Sequence, residues 1–198
     1  MGLEETFRTL REARNAPAEE ALLAAVPEPN AHVQERAVGA LISLESRRGV
    51  LHAIRNAHLL PPRVLAMLAI ETRLVLPALR SALRDAREQT RLNSLDILGR
   101  IGTNEAIQEA LSAMQDKEDD VRKKATAVAV GALVRFVGAH RRETAPTHAE
   151  TGRVHTTEAS TIVARLLGGY EQHRERTVLE VMVEMGDATL PSIITASR

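Results

Sequence analysis

The stretch Thr90-Arg-Leu-Asn-Ser-Leu-Asp-Ile-Leu98 shares its pattern with Val121-Arg-Lys-Lys-Ala-Thr-Ala-Val-Ala129, which begins 31 residues later. In both stretches a small or apolar residue stands four, seven and eight places after the first residue. This spacing places the three residues on one face of a helix. Three further segments carry the same pattern: Val33–Leu41 (Ala37, Ala40, Leu41), Pro62–Ile70 (Ala66, Ala69, Ile70) and Arg174–Met182 (Val178, Val181, Met182).

A second, shorter helical pattern lies between these segments, as in Ala106–Leu111. Gly102 stands where the preceding helix is expected to end, since glycine tolerates a left-handed C-terminal cap. Pro77 is predicted near the start of a following helix, and Asp85 and Asp116 are predicted to cap helices from their turns. Single helix pairs this short cannot bury their apolar faces, but stacked pairs can. The sequence therefore predicts an all-α fold, an α-solenoid.

The pattern Asp-x4-Val-Arg-x2-Ala, followed by a turn such as Ile101-Gly-Thr103, resembles HEAT repeats, particularly the short bacterial type first noted in phycobilisome lyases. The resemblance covers about residues 17–135 and 157–198. It implies a right-handed superhelix of about five to six helix pairs, with the second helices lining the concave side. It also implies an Asp–Arg ladder between repeats, made by Asp85, Asp116, Arg91 and Arg122 and extended by Arg63.

We expect a single domain over residues 1–198, with a capping helix in 1–16 and a half repeat in 188–198. The last interval of the repeat is 53 residues, so residues 138–157 form an insertion. Its polar composition predicts a loop, entered by a helix that continues to about Arg141. This insertion is either a binding loop or a tolerated one. The apolar side chains of the half repeat either point inward or form a surface for end-to-end self-association.

The composition excludes several classes of protein. The chain has 198 residues and no cysteine, which excludes a disulfide scaffold, a thiolate zinc site and a cysteine nucleophile. It has 26 basic and 26 acidic residues, and this balance argues against a nucleic-acid partner. Arg135 interrupts the longest apolar stretch, so we expect no membrane-spanning helix and a cytoplasmic protein.

Candidate chemical sites are weak. His140, His148 and His155 lie in the insertion, but their spacing matches no metal-ligand frame, and we expect solvated side chains. The acidic residues before Arg122-Lys-Lys124 are expected to pair with this basic run. Ser94 and Thr126 are expected to bond to the backbone of their own helices. We predict no catalytic residue, no metal site and no cofactor.

The leading hypothesis is a non-enzymatic scaffold that binds a partner protein on the concave face, since solenoids present extended surfaces. The mixed charge of the side chains expected there favours a protein over a polyanion. The alternatives are a bilin lyase-like or other HEAT-like enzyme, and a HEAT-like nucleic-acid-binding protein, which rest on analogy of fold. The predicted partner-binding residues are Gln34, Glu35, Arg63, Arg91, Asn93, Arg122, Lys123 and Glu175.

Overall fold

The computed structural model describes the backbone of residues 2–143 and the side chains of residues 2–132. This part of the chain consists of α-helices and turns and contains no strand. The helices are α1 (Leu3–Ala13), α2 (Ala16–Ala25), α3 (Ala31–Ser43), α4 (Arg47–Arg55), α5 (Pro62–Ile70), α6 (Thr72–Ala82), α7 (Glu88–Ile101), α8 (Asn104–Ser112) and α9 (Asp119–Glu143).

The chain divides into two compact units, of which the first is Met1–Ile101. In this unit each helix packs against the helix two positions further along the chain. One layer contains α1, α3, α5 and α7, and the other contains α2, α4 and α6. In the second unit, which begins at Gly102, α8 packs against α9. The predicted all-α solenoid is confirmed, while the extent of a single domain over 1–198 stays a prediction.

The core is built almost entirely from aliphatic side chains. Fully buried leucine and isoleucine residues fill the space between the layers of the first unit, and small residues such as Ala37, Ala53 and Ala82 allow the helices to approach closely. Burial of this aliphatic surface is the main favourable term in folding. The largest of these side chains are Leu22, Leu41, Ile54, Leu68, Leu79, Leu95, Ile97 and Leu98.

Polar residues in the turns define the ends of several helices. The side chains of Asn15, Asn30, Ser46 and Thr103 each accept a bond from a backbone N–H in the first turn of the next helix. Gly102 follows the end of α7 with a φ of 64°, a left-handed conformation that suits glycine. The predicted helix end at Gly102 is therefore confirmed.

Two sequence predictions for the middle of the first unit are wrong. Pro77 lies in the interior of α6, because the helix already begins at Thr72. Because proline has no N–H, one carbonyl of the preceding turn loses its hydrogen-bond partner. Pro77 is exposed, so this carbonyl lies on the solvent side of the helix, where water can replace the bond. The second error concerns α5, in which Ala66, Ala69 and Ile70 were predicted to share the apolar face.

The buried residues of α5 are instead Val64, Leu65 and Leu68, while Ile70 is exposed. Pro61 and Pro62 fix the start of the helix. The first buried residue of the segment is Leu60, which lies two residues before Pro62, the predicted start of the pattern. The apolar stripe of this segment is consequently displaced by two residues, which leaves its last residue outside the core.

At the ends of the described region, α1 occupies most of the segment predicted as a cap, and α9 extends through the first residues of the predicted insertion to Glu143. The remainder of the 138–157 insertion and the 188–198 half repeat lie outside the described residues. None of the helices within residues 2–143 has the length and hydropathy required to cross a bilayer.

Candidate functional site

An open groove of about 850 Å³ lies on the layer that contains α1, α3 and α5. All three helices contribute to it, and it belongs entirely to the first unit. We refer to it as the α1–α3–α5 groove. Its lining consists of Glu4, Glu5, Phe7, Arg8, Arg11, Glu35, Arg36, Gly39, Ala40, Ile42, Ser43, Met67, Ile70 and Glu71.

The groove contains accessible apolar surface. Ile42 and Met67 are half-buried, and Ile70 has 78% of its surface exposed, the largest fraction among the exposed large hydrophobic residues of the described part of the chain. Gly39 also lines the groove, and a Cβ atom at this position would lie 3.3 Å from Cε of Met67. Exposed aliphatic surface in a concave site is available for burial by a ligand.

Charged side chains of both signs surround this apolar surface. Arg36 forms an ion pair with Glu4, whose Oε1 also lies 3.4 Å from Nε2 of His32. Arg8 and Glu5 are 3.8 Å apart within α1. These pairs are largely solvent-exposed, so each contributes little to stability, and the rim of the groove keeps a mixed charge.

Three of the predicted partner-binding side chains are buried and bonded inside the fold. Gln34 has 4% of its surface exposed and donates from Nε2 to the carbonyl of Leu59 at 3.2 Å. Asn93 has 2% exposed and donates from Nδ2 to the carbonyls of Ile54 and Arg55 at 3.0 and 3.1 Å. Arg91, 4% exposed, is equally buried. A partner cannot reach such side chains, so we do not carry these three residues into the interaction surface.

Arg91 and Arg122 have equivalent bonds in successive repeats. Nη1 of Arg91 donates to the carbonyls of Asp85 and Ala86 at 2.9 and 3.2 Å. Nη1 of Arg122 donates to the carbonyls of Asp116 and Lys117 at 2.8 and 3.0 Å. Each arginine therefore stabilises the turn that precedes its own helix, in addition to any bonds of an Asp–Arg ladder.

The two aspartates of these turns also have matching roles. Oδ1 of Asp85 accepts from the backbone N–H of Arg87, and Oδ1 of Asp116 accepts from that of Glu118, both at 3.0 Å. The hydrogen bonds from the side chain and backbone of Arg87, with a further bond from Arg55, hold the pKa of Asp85 well below its usual value. These bonds reach the residue directly before α7 and before α9, so the two aspartates order the turns, while capping of the helix amides by them stays a prediction.

The other predicted residues are more accessible. Nε of Arg63 lies 3.1 Å from Oε1 of Glu35 and joins α5 to α3. Arg122 forms an ion pair with Asp119, and Nζ of Lys123 lies 3.9 Å from Oδ1 of Asp120, so the expected pairing of the basic run with the preceding acids is confirmed. Partner binding by Glu35, Arg63, Arg122 and Lys123 stays a prediction, and Glu175 lies outside the described residues.

The bonds expected for the two hydroxyl residues are confirmed. Ser94 donates to the carbonyl of Thr90 at 2.8 Å, and Thr126 donates to that of Arg122 at 2.9 Å. Among the described side chains, no group of three or more histidine, aspartate or glutamate residues is placed to hold a metal ion. The side chains of His140, His148 and His155 lie outside the described ones.

Sequence reasoning missed most of the groove. Arg11, Gly39, Met67, Ile70 and Glu71 were not among the candidate residues. One signal could have revealed Ile70: counted from Leu60 instead of Pro62, the same spacing places Val64, Met67 and Leu68 on the shared face and leaves Ile70 off it.

Comparison with known families agrees with this architecture. Residues 62–131, which include α5 to α8 and the first half of α9, match the family model of HEAT repeats. These residues are HEAT repeats. The HEAT-repeat resemblance inferred from the sequence is thus confirmed, whereas the match does not extend to the phycobilisome-lyase type. No curated protein matches the chain.

Proposed function

We propose that this HEAT-repeat protein is a non-enzymatic scaffold that binds a partner protein on the layer formed by α1, α3, α5 and α7. HEAT repeats commonly mediate protein interactions, and solenoids offer extended surfaces for this purpose. The observation that carries the proposal is the α1–α3–α5 groove, in which the exposed Ile70 lies among charges of both signs.

The composition of the groove supports a protein partner. Its lining combines four acidic and three basic side chains with aliphatic surface, whereas a site for a polyanion needs an excess of basic residues. An apolar centre with a polar rim is the usual anatomy of a protein interface. A cytoplasmic location belongs to the same proposal, and the cysteine-free sequence is compatible with a reducing compartment.

The proposal is tested with the full chain and a purified partner. The chain is used as bait in its native cells, the captured protein is purified, and the complex is rebuilt from the two components. Hydrogen exchange is then compared with and without the partner. We expect slower exchange in α1, α3 and α5. A chain that forms no complex with any purified candidate would contradict the scaffold proposal.

A further inference from the structure

Two charges on opposite sides of the α1–α3–α5 groove have no ion pair among the described side chains. They are Arg11 on α1 and Glu71, which directly follows α5. The other charged lining residues are engaged, with Glu4 bound to Arg36, Glu5 near Arg8, and Glu35 bound to Arg63. The groove therefore has a positive charge available on one side and a negative charge available on the other.

These two charges and the apolar surface lie at corresponding places on the three helices. Arg11 is in the last turn of α1, Ile42 is in the last turn of α3, and Ile70 is the last residue of α5. Neighbouring packed helices lie about 8–10 Å apart, so the distance from α1 to α5 is about 20 Å. A crossing helix of about 13 residues covers this distance.

The walls of the groove also favour a helix over an extended segment. Backbone groups in the interior of α1, α3 and α5 are bonded within their own helices, so the groove offers no sheet edge to which a strand could be added. A helix satisfies its own backbone bonds and needs only side-chain contacts from the groove.

We infer that the α1–α3–α5 groove binds an amphipathic helix of a partner protein, oriented by Arg11 and Glu71. The apolar stripe of the partner helix contacts Ile42, Met67 and Ile70. An acidic residue near one end pairs with Arg11, and a basic residue near the other end pairs with Glu71. This inference rests on the proposed scaffold function and specifies the chemistry of the partner.

The test uses the full chain and a displayed library of helical peptides about 14 residues long, with randomised faces. Peptides selected on the wild-type chain are measured by fluorescence anisotropy against Ile70→Ser and Gly39→Phe. We expect each variant to weaken binding about tenfold or more, since the first removes apolar contact and the second fills the groove. The matched control is Leu59→Ser, because Leu59 is 50% exposed but lies outside the groove, and it should leave affinity unchanged.

The orientation is tested by charge reversal. Arg11→Glu should weaken the selected peptides about two- to fivefold, as expected for a solvent-exposed pair. Changing the acidic residue of the peptide to lysine should restore the affinity. Glu71→Arg should show the same behaviour with the basic residue at the other end. Circular dichroism checks that each variant keeps the helical content of the wild type.

Three results would overturn the inference: no helical peptide is selected, the selected peptides are insensitive to Ile70→Ser and Gly39→Phe, or reversal at the two ends has no effect. Sedimentation of the chain alone can give a fourth such result. If the wild type is a dimer and Ile70→Ser is not, the groove is occupied by a second copy of the chain. If the purified partner still binds these variants with wild-type affinity, the helix-binding groove is wrong but the scaffold function stands.

Discussion

Gly49 in α4 lies so close to Leu41 in α3 that a Cβ atom on Gly49 would be 2.6 Å from Cδ2 and 2.9 Å from Cβ of Leu41. Leu41 is fully buried, so its side chain cannot move without disturbing the core. Ser46 Oγ would also lie 2.9 Å from the added atom, and this oxygen accepts the N–H of Gly49 at 2.8 Å to cap α4. The absence of a side chain at position 49 sets the distance between the two helices.

We therefore expect Gly49→Ala to lower the free energy of unfolding by about 1–3 kcal/mol, as overpacking of a core does. Urea unfolding followed by circular dichroism measures the effect. Gly39→Ala is the matched control, because its Cβ would meet only the flexible end of Met67 at 3.3 Å. Its stability should be unchanged or up to about 1 kcal/mol higher, owing to the better helix propensity of alanine. Equal stabilities of the two variants would contradict the close approach at Gly49.

Asn93→Ala should destabilise the protein by about 1–3 kcal/mol, because it removes hydrogen bonds to the buried carbonyl of Ile54 and to the partly buried carbonyl of Arg55. Lys123→Ala, at an exposed side chain, should change stability by less than about 0.5 kcal/mol. Thermal unfolding distinguishes the two. An Asn93→Ala protein as stable as the wild type would return Asn93 to the list of candidate surface residues.

Asp85 should contribute stability that depends on pH. Because hydrogen bonds from Arg87 and Arg55 lower its pKa in the folded state, its contribution is complete above the unfolded pKa, near 3.8, and is lost as the pH falls below that value. Asp85→Asn keeps an oxygen for the N–H of Arg87 but has no charge. We expect this variant to be less stable than the wild type at pH 7 and to show a smaller loss on acidification. Parallel acid denaturation of the two proteins measures the difference.

His52 should destabilise the protein in mild acid. Its pKa is lowered by burial and then by the positive charges of Arg55, Arg48 and Arg87, so the folded state favours the neutral imidazole. The unfolded state takes up a proton below about pH 6.5, and stability therefore falls as the pH drops through and below this value. Unfolding at pH 7.5 and 5.5 should show a larger loss for the wild type than for His52→Gln. An equal loss in both proteins would assign the effect to other histidines.

The repeat and the fold could be predicted because helical periodicity is a local property. The stripes that contain Ala37 and Leu41 and those that contain Ile97 and Leu98 are buried as their spacing indicates. The stripe of α5 was aligned with its neighbours two residues too late, since Val64 and Leu68 are buried where the alignment placed Ala66 and Ile70. Ile70 was consequently placed on the shared apolar face, although it is the most accessible apolar residue of the groove.

The roles of Gln34 and Asn93 were hidden for a different reason. Their hydrogen bonds go to carbonyls 25 and 39 residues away, and no local pattern reveals partners at such distances. A polar residue in a helical segment is equally compatible with an exposed surface and with a buried bond. Only the packed arrangement of helices distinguishes the two.

Arg91 bonds to the turn at Asp85, and Arg122 bonds to the turn at Asp116. In each case the arginine and its turn belong to the same repeat of about 30 residues. When the coding sequence for either repeat is duplicated or deleted as a whole, the turn and the arginine that holds it are gained or lost together. Evolution can thus lengthen or shorten the array by whole repeats without having to invent new turns.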